Sequence, residues 1–243
     1  MMQDNQTINK ARALYYNFFA NFFVISPKSE NYFELIRLLN ILKENPLDDS
    51  SAEALNNISN LLDKSSNVVL FQEFDDLFHN PLTKKIRQTA SFYDEGVESG
   101  KKRVEMLEFI SKTKLRRDED SYCEYEDSIG FIFSIMAELS DLLANGEDIY
   151  KNTVHCIFAQ VLNEFIDEFA KDVYEHEKVI IYKELIVVLH SFIEFERLYL
   201  EVSKPIKKEK VVKKHDDNWG NISQEERERR ERNRALKALG PKN

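Results

Sequence analysis

The sequence is poor in the residues that build turns, cross-links and reactive centres. Its 243 residues include six glycines and five prolines, well below ordinary usage, which disfavours turn-rich sheets and favours long helices on short loops. The two cysteines, Cys123 and Cys156, stand far apart and outside any C-x-x-C pairing. A disulfide scaffold, a zinc ribbon and an iron–sulfur site are therefore disfavoured, and a reducing compartment fits. No apolar run approaches the roughly eighteen residues of a membrane span. The start, MMQDNQTINKARALYY, has acidic and amide residues where a signal peptide would be basic. A cytoplasmic protein without membrane insertion is expected.

Reactive constellations are missing too. Gly96-Val97-Glu98-Ser99-Gly100-Lys101-Lys102 comes nearest to a phosphate loop, but it is one residue short, has Lys102 where a hydroxyl belongs and follows no strand. A di-iron bundle needs two Glu-x-x-His motifs, and only Asp76-Leu77-Phe78-His79 is near that pattern. His155, His176, His190 and His215 are scattered, and pairs such as Glu164 and Glu168 follow from acidic composition. The expectation is a protein that is not an enzyme, with no catalytic residue, no metal site and no tightly bound cofactor.

What is present is a core. Hydrophobic residues make up 42% of the chain and aromatics 12%, enough to fold one sizeable body. The net charge of −9 is unevenly spread: residues 204–243 carry 13 Lys/Arg against 7 Asp/Glu, leaving 21 against 36 in residues 1–203. A body at −15 repels nucleic acid and attracts basic partners, a basic peptide among them.

Apolar spacing predicts an all-α bundle of about eight helices. The first, 7–24, carries Ala11, Leu14, Tyr15, Phe18 and Phe22 on one face, with Thr7 or Asn5 as its cap. Others are expected near 30–44 (Phe33, Ile36, Leu39, Leu42), 51–63, 71–78 and 92–111, the last with Val104, Leu107, Phe109 and Ile110 as its apolar residues. The run SKTKLRRDEDSYCEYE, 111–126, reads as a polar hinge between two halves. Beyond it, helices are predicted near 125–145, 149–172 and 175–202. Residues 1–203 form the expected domain. Residues 204–243 are a basic linker and a short charged helix with a capping box at Ser223 and Glu226, and Trp219 stands alone between them.

Three stretches in order resemble the TorD/DmsD/NarJ family of cytoplasmic molybdoenzyme chaperones. Ala11-Arg12-Ala13-Leu14-Tyr15-Tyr16 is similar to the family's Arg-x-x-Leu-Tyr opening helix. Glu73-Phe74-x-x-Leu77-Phe78-x-x-Pro81, then Ser91-Phe92-Tyr93-x-x-Gly96, resembles its Glu-Tyr-x-x-Leu-Phe-x-x-Pro and Ser-x-Tyr-x-x-Gly pair. Glu126-Asp127-Ser128-Ile129-Gly130 is similar to the family's Asp-His-Ile-Gly after the hinge, with Ser128 in place of the histidine.

The resemblance implies an all-helical chaperone, monomeric or a hinge-swapped dimer. It would bind the twin-arginine leader or apo catalytic subunit of an exported molybdopterin oxidoreductase, such as a formate dehydrogenase, until the cofactor is inserted. Contact with the client's molybdopterin would be transient. The client-binding residues it implies are Glu126, Asp127, Ser128, Glu73, Phe74, Phe78, Pro81, Tyr93, Gly96 and Tyr15, with Asp127 as a carboxylate for arginine. For any one of these aromatics, core packing is the competing expectation. Outside the resemblance, a non-catalytic adaptor docking through its charged tail is the alternative, and the tail's arginines could also cover the acidic body.

Overall fold

A computed structural model describes residues 2–24, 29–118 and 122–206. Met1–Pro205 form one compact unit. The expectations for the tail, including Trp219 and the Ser223 capping box, lie almost wholly outside the described residues.

Among the described residues the architecture is all-helical, and the one isolated β-bridge joins Thr89 to Ser128. Helix α1 (Met2–Phe23) begins before the anticipated cap. It is followed by α2 (Ser29–Glu44), α3 (Asp49–Leu61) and α4 (Val68–Phe78). Helix α3 is started by a reciprocal capping box, in which the Asp48 carboxylate accepts from Ser51 N–H at 2.7 Å and Ser51 Oγ accepts from Asp48 N–H at 3.0 Å.

The single helix expected over 92–111 is two. Helix α5 (Ala90–Glu95) stops at Gly96, whose φ of 77° is the left-handed turn that favours glycine, and α6 (Lys101–Ser111) starts afresh after Gly100. The loop between them is filled by protein: Glu95 accepts the Lys101 N–H at 2.8 Å, so a carboxylate occupies the place where a phosphate loop would hold phosphate.

Helix α7 (Ile129–Ala144) is the central rod, buried on nearly every side, and α1 lies along it. Gly130 makes that approach possible, because a Cβ there would meet Val24 Cγ2 at 2.8 Å and the Phe23 carbonyl oxygen at 3.0 Å. The next helix runs as α8 (Lys151–Ile157), a π turn (Phe158–Leu162) and α9 (Asn163–Tyr174). The last, α10 (Ile181–Tyr199), starts six residues later than the periodicity suggested and packs on α3 and α9.

The core is an aromatic spine. Tyr16, Phe19 and Phe23 of α1 meet Phe133 of α7, Phe169 of α9 and Tyr182 and Phe192 of α10, with ring centroids about 5–6 Å apart in tilted and edge-on pairs. Three residues of the expected apolar stripes point the other way. Phe33 is 58% exposed, since α2 buries Tyr32, Leu35, Leu38, Leu39 and Leu42; Val104 and Leu107 are 56% and 44% exposed, since α6 buries Met106, Phe109 and Ile110.

Candidate functional site

The hinge residues described, 112–118 and 122–126, lead into a strap that is tied back to the loop before α5. The end of the 79–89 loop and the hinge's last residues exchange backbone bonds, Ala90 N–H to the Asp127 oxygen at 2.9 Å and Ile129 N–H to the Gln88 oxygen at 2.8 Å. This joins the two sequence stretches 71–96 and 126–130 at one place.

Three side chains lock the joint. Asp127 is fully buried; one carboxylate oxygen accepts the Ser91 N–H at 2.9 Å, while Oδ1 has no hydrogen-bond partner. Burial pushes its carboxyl above the ordinary aspartate value, against the opposing hydrogen bonds from Ser91. Ser128 Oγ shares a 2.7 Å hydrogen bond with the Tyr122 hydroxyl, and burial also raises that phenol.

Glu126, 5% exposed, holds one arginine on each carboxylate oxygen: Arg103 of α6 at 2.7 Å and Arg117 of the hinge at 2.8 Å. Burial alone would raise its carboxyl, but the hydrogen bond and charge of Arg103, with the charge of Arg117, hold it below the ordinary glutamate value. Arg103 also lies over the Tyr125 ring, 4.4 Å from its centroid.

Beside this joint opens a pocket of ≈ 260 Å³ floored by Phe78 and Ile86 and rimmed by Lys85, Glu98, Glu124 and Tyr125. Arg87 pairs with Glu98 at 2.6 Å, and Thr89 donates to the same glutamate at 2.9 Å. The rim thus mixes both signs of charge around an apolar floor.

Of the implied binding residues, Glu126, Asp127 and Ser128 form the joint itself and Phe78 contributes to the pocket floor. Tyr93 is a buried post whose hydroxyl donates to the Arg87 carbonyl and to Asp172, both at 3.2 Å. Gly96 caps α5, and Pro81 is exposed in the loop beside Leu82. Phe74 packs edge-on against His79, nearly buried. Tyr15 is remote, stacked on Phe192 in the core at 5.2 Å.

Glu73 has a different task. Its carboxylate reaches from α4 to the start of α10, where it accepts the N–H groups of Ile180, Ile181 and Tyr182 at 2.8, 2.8 and 2.9 Å. It is the N-terminal cap of a helix more than a hundred residues away. Arg12 of the opening motif is likewise structural: 1% exposed, it makes a bidentate pair with Glu196 of α10 at 2.6 and 2.7 Å, and Tyr16 donates to the same carboxylate.

Sequence reasoning did not assign Arg103, Arg117 or Tyr122 to the site, and it carried Ser91 only as a motif position. For Arg117 and Tyr122 the available signal was the dense mixture of arginine, tyrosine and carboxylate within 116–127, which periodicity does not read because the segment is not a helix.

A helical bundle with a braced polar strap and an apolar-floored, charge-rimmed pocket beside it has the build of a binding module. The chain belongs to a known family of such proteins: residues 44–171, over half its length, match the family described as nitrate reductase delta subunit, the NarJ/TorD-type chaperones. These are maturation chaperones for redox enzymes, not a family of catalysts. The chain is also similar to a crystal structure described as a redox enzyme maturation protein from Archaeoglobus fulgidus, at 21% identity and a TM-score of 0.49, over 76% of this chain and 93% of that one. No curated protein matches significantly. Among the described residues no helix is long and apolar enough to cross a membrane.

Proposed function

We propose that this chaperone binds the twin-arginine leader of an exported molybdopterin oxidoreductase, or a neighbouring segment of its apo catalytic subunit, in the cytoplasm. It holds the client there until the cofactor is in place. The observation that supports this reading is the pair of adjacent buried carboxylates, Glu126 and Asp127, at the strap of a body with net charge −15. A guanidinium pair is the natural complement of carboxylates held rigidly in a partly dry setting, and the acidic body steers a basic leader toward it. The apolar floor at Phe78 and Ile86 suits the apolar part that follows the arginines in a leader.

In this reading Tyr93 and Gly96 position the neighbours of the strap, Glu73 serves the fold as the cap of α10, and the client touches Glu126, the strap and the pocket rim. The client's molybdopterin meets the chaperone only in passing. Formate dehydrogenase is one client of the right class, and no residue of the site selects it.

The test is direct. Affinity purification from native cells is expected to recover a precursor that still carries a twin-arginine leader. A synthetic leader is expected to bind more tightly than its Lys-Lys counterpart, and Glu126→Gln is expected to erase that preference. Recovery of mature proteins alone, with no preference for arginine, would overturn the proposal.

A further inference from the structure

The pocket beside the joint is walled by the 79–89 loop, which supplies Lys85, Ile86, Arg87, Gln88 and Thr89 to its lining. A segment with no regular structure of its own needs ties to hold such a wall in place before anything fills the pocket. One side of the loop is tied to α4: the Thr83 hydroxyl donates to the Asp76 carbonyl at 2.6 Å, and the Ile86 N–H donates to the Leu77 carbonyl at 3.0 Å. The other side is tied to α9 and to the turn that follows it, residues 175–180.

Polar contacts of unequal strength make that second tie. Lys84 Nζ lies 3.7 Å from Asp172, but the lysine side chain is 81% exposed, so the pair contributes little. The Tyr93 hydroxyl has one proton to divide between Asp172 and the Arg87 carbonyl, both at 3.2 Å. His176 is buried, and its Nε2 lies 3.0 Å from the Lys84 carbonyl oxygen.

The state of this ring follows from its partners. The Lys178 N–H reaches Nδ1 at 3.2 Å, and a backbone N–H can only donate, so Nδ1 is the bare nitrogen. The proton of the neutral ring is therefore on Nε2, where it is donated to Lys84. One flat ring thus accepts from the α9–α10 turn on one edge and donates to the loop on the other. The turn is itself fixed at its far end by Glu73, which accepts from Ile180, Ile181 and Tyr182.

We infer that His176 is a positioning residue for the client: it pins Lys84 to the α9–α10 turn and so keeps the wall from Lys85 to Thr89 in place before the leader arrives. This rests on the leader-binding reading of that pocket. A wall already in place spares the peptide the cost of ordering it. A chaperone with the tie cut binds only in proportion to the fraction of molecules whose wall is still docked.

The two nitrogens can be replaced one at a time in the full chain. In His176→Asn the amide oxygen stands near the Nδ1 position and can accept from Lys178, while the side chain is too short for Lys84. In His176→Gln the longer amide reaches Lys84 as a donor, and Lys178 loses its acceptor. Hydrogen exchange without peptide reads the ties, and a fluorescent synthetic peptide with an Arg-Arg pair followed by an apolar stretch reads the site.

Losing one hydrogen bond of ordinary strength corresponds to roughly a two- to tenfold change. By that factor His176→Asn is expected to speed exchange of the Ile86 amide and to weaken peptide binding. His176→Gln is expected to keep both within about twofold of the wild type and to speed exchange at Lys178 instead. Equal losses of affinity in the two variants would mark a general loss of stability and overturn the positioning role. So would wild-type affinity in His176→Asn, whether or not the loop exchanges faster, and in that case leader binding stands. If the wild type itself fails to bind the Arg-Arg peptide at low salt, the leader-binding reading falls and takes the positioning role with it.

Discussion

Removing the Glu73 carboxylate tests whether one residue of the 71–96 stretch holds the bundle together or meets the client. In Glu73→Ala, three N–H groups at the start of α10 lose their acceptor, two of them in buried residues. A hydrogen bond to a charged acceptor contributes about 1.5–3 kcal/mol, and a carboxylate at a helix start adds about 0.3–1 kcal/mol. Solvent entering the gap recovers part of this, so the expected loss is about 3–5 kcal/mol, or a Tm lower by roughly 6–20 °C for a body of this size. Glu73→Gln keeps one acceptor oxygen but turns an amide toward a donor, and about 1–3 kcal/mol is expected. Urea unfolding of the full chain, followed by circular dichroism, measures both. Peptide affinity of folded Glu73→Gln is expected to match the wild type. Equal damage from Gln and Ala, or lost peptide binding without lost stability, would refute the capping role.

Further outcomes follow from the packing and charge. Gly130→Ala drives a methyl into Val24 and the Phe23 carbonyl, so a loss of about 1–3 kcal/mol in urea unfolding is expected. Arg12→Ala strands Glu196 in the core and is expected to cost about 3–5 kcal/mol, while the double variant Arg12→Met with Glu196→Leu is expected to recover most of it; thermal melts of the three proteins decide. The Glu126 carboxyl titrates below its ordinary value of 4.5. Its contribution is therefore fully present above that value and is lost as pH falls through the lower, folded one. Strap protection measured by hydrogen exchange should decline over that acid range in the wild type and stay flat in Glu126→Gln. Asp127 has the opposite sign: burial raises it above 3.8, so its contribution falls as pH rises from 3.8 through the folded value and is fully unfavourable above it. Asp127→Asn should flatten that component of a pH-dependent melt.

Periodicity carried the helices but mistook their faces where two apolar choices competed. On α2, Tyr32 and Leu35 are buried and Phe33 is turned out; on α6, Met106 displaces Val104 and Leu107. Each helix offered two plausible stripes, and the neighbour that decides between them is distant in sequence. The break at Gly96–Gly100 was visible as two glycines, yet the flanking pattern is helical on both sides, so a continuous helix was the simpler reading. The site itself was half legible. Glu126-Asp127-Ser128 could be singled out, but the arginines on Glu126 come from positions 14 residues apart on different elements, a proximity no local pattern encodes. Glu73 is the sharpest case. Its motif position drew attention to it as a binding residue, and only the three N–H groups of α10 reveal a cap.

The Arg12–Glu196 pair also says something about when this protein becomes itself. It spans 184 positions, and the Tyr182 hydroxyl donates to the Phe22 carbonyl across a similar separation. The aromatic spine of α1 has its partners Tyr182 and Phe192 on the last helix of the body. A ribosome must therefore deliver nearly the whole body before the first helix can be sealed, and until then α1 is a sticky, ring-covered surface. Such non-local closure slows folding and lengthens exposure to aggregation. A member of a family that matures redox enzymes thus has, for the length of its own synthesis, the vulnerability of an unfinished chain.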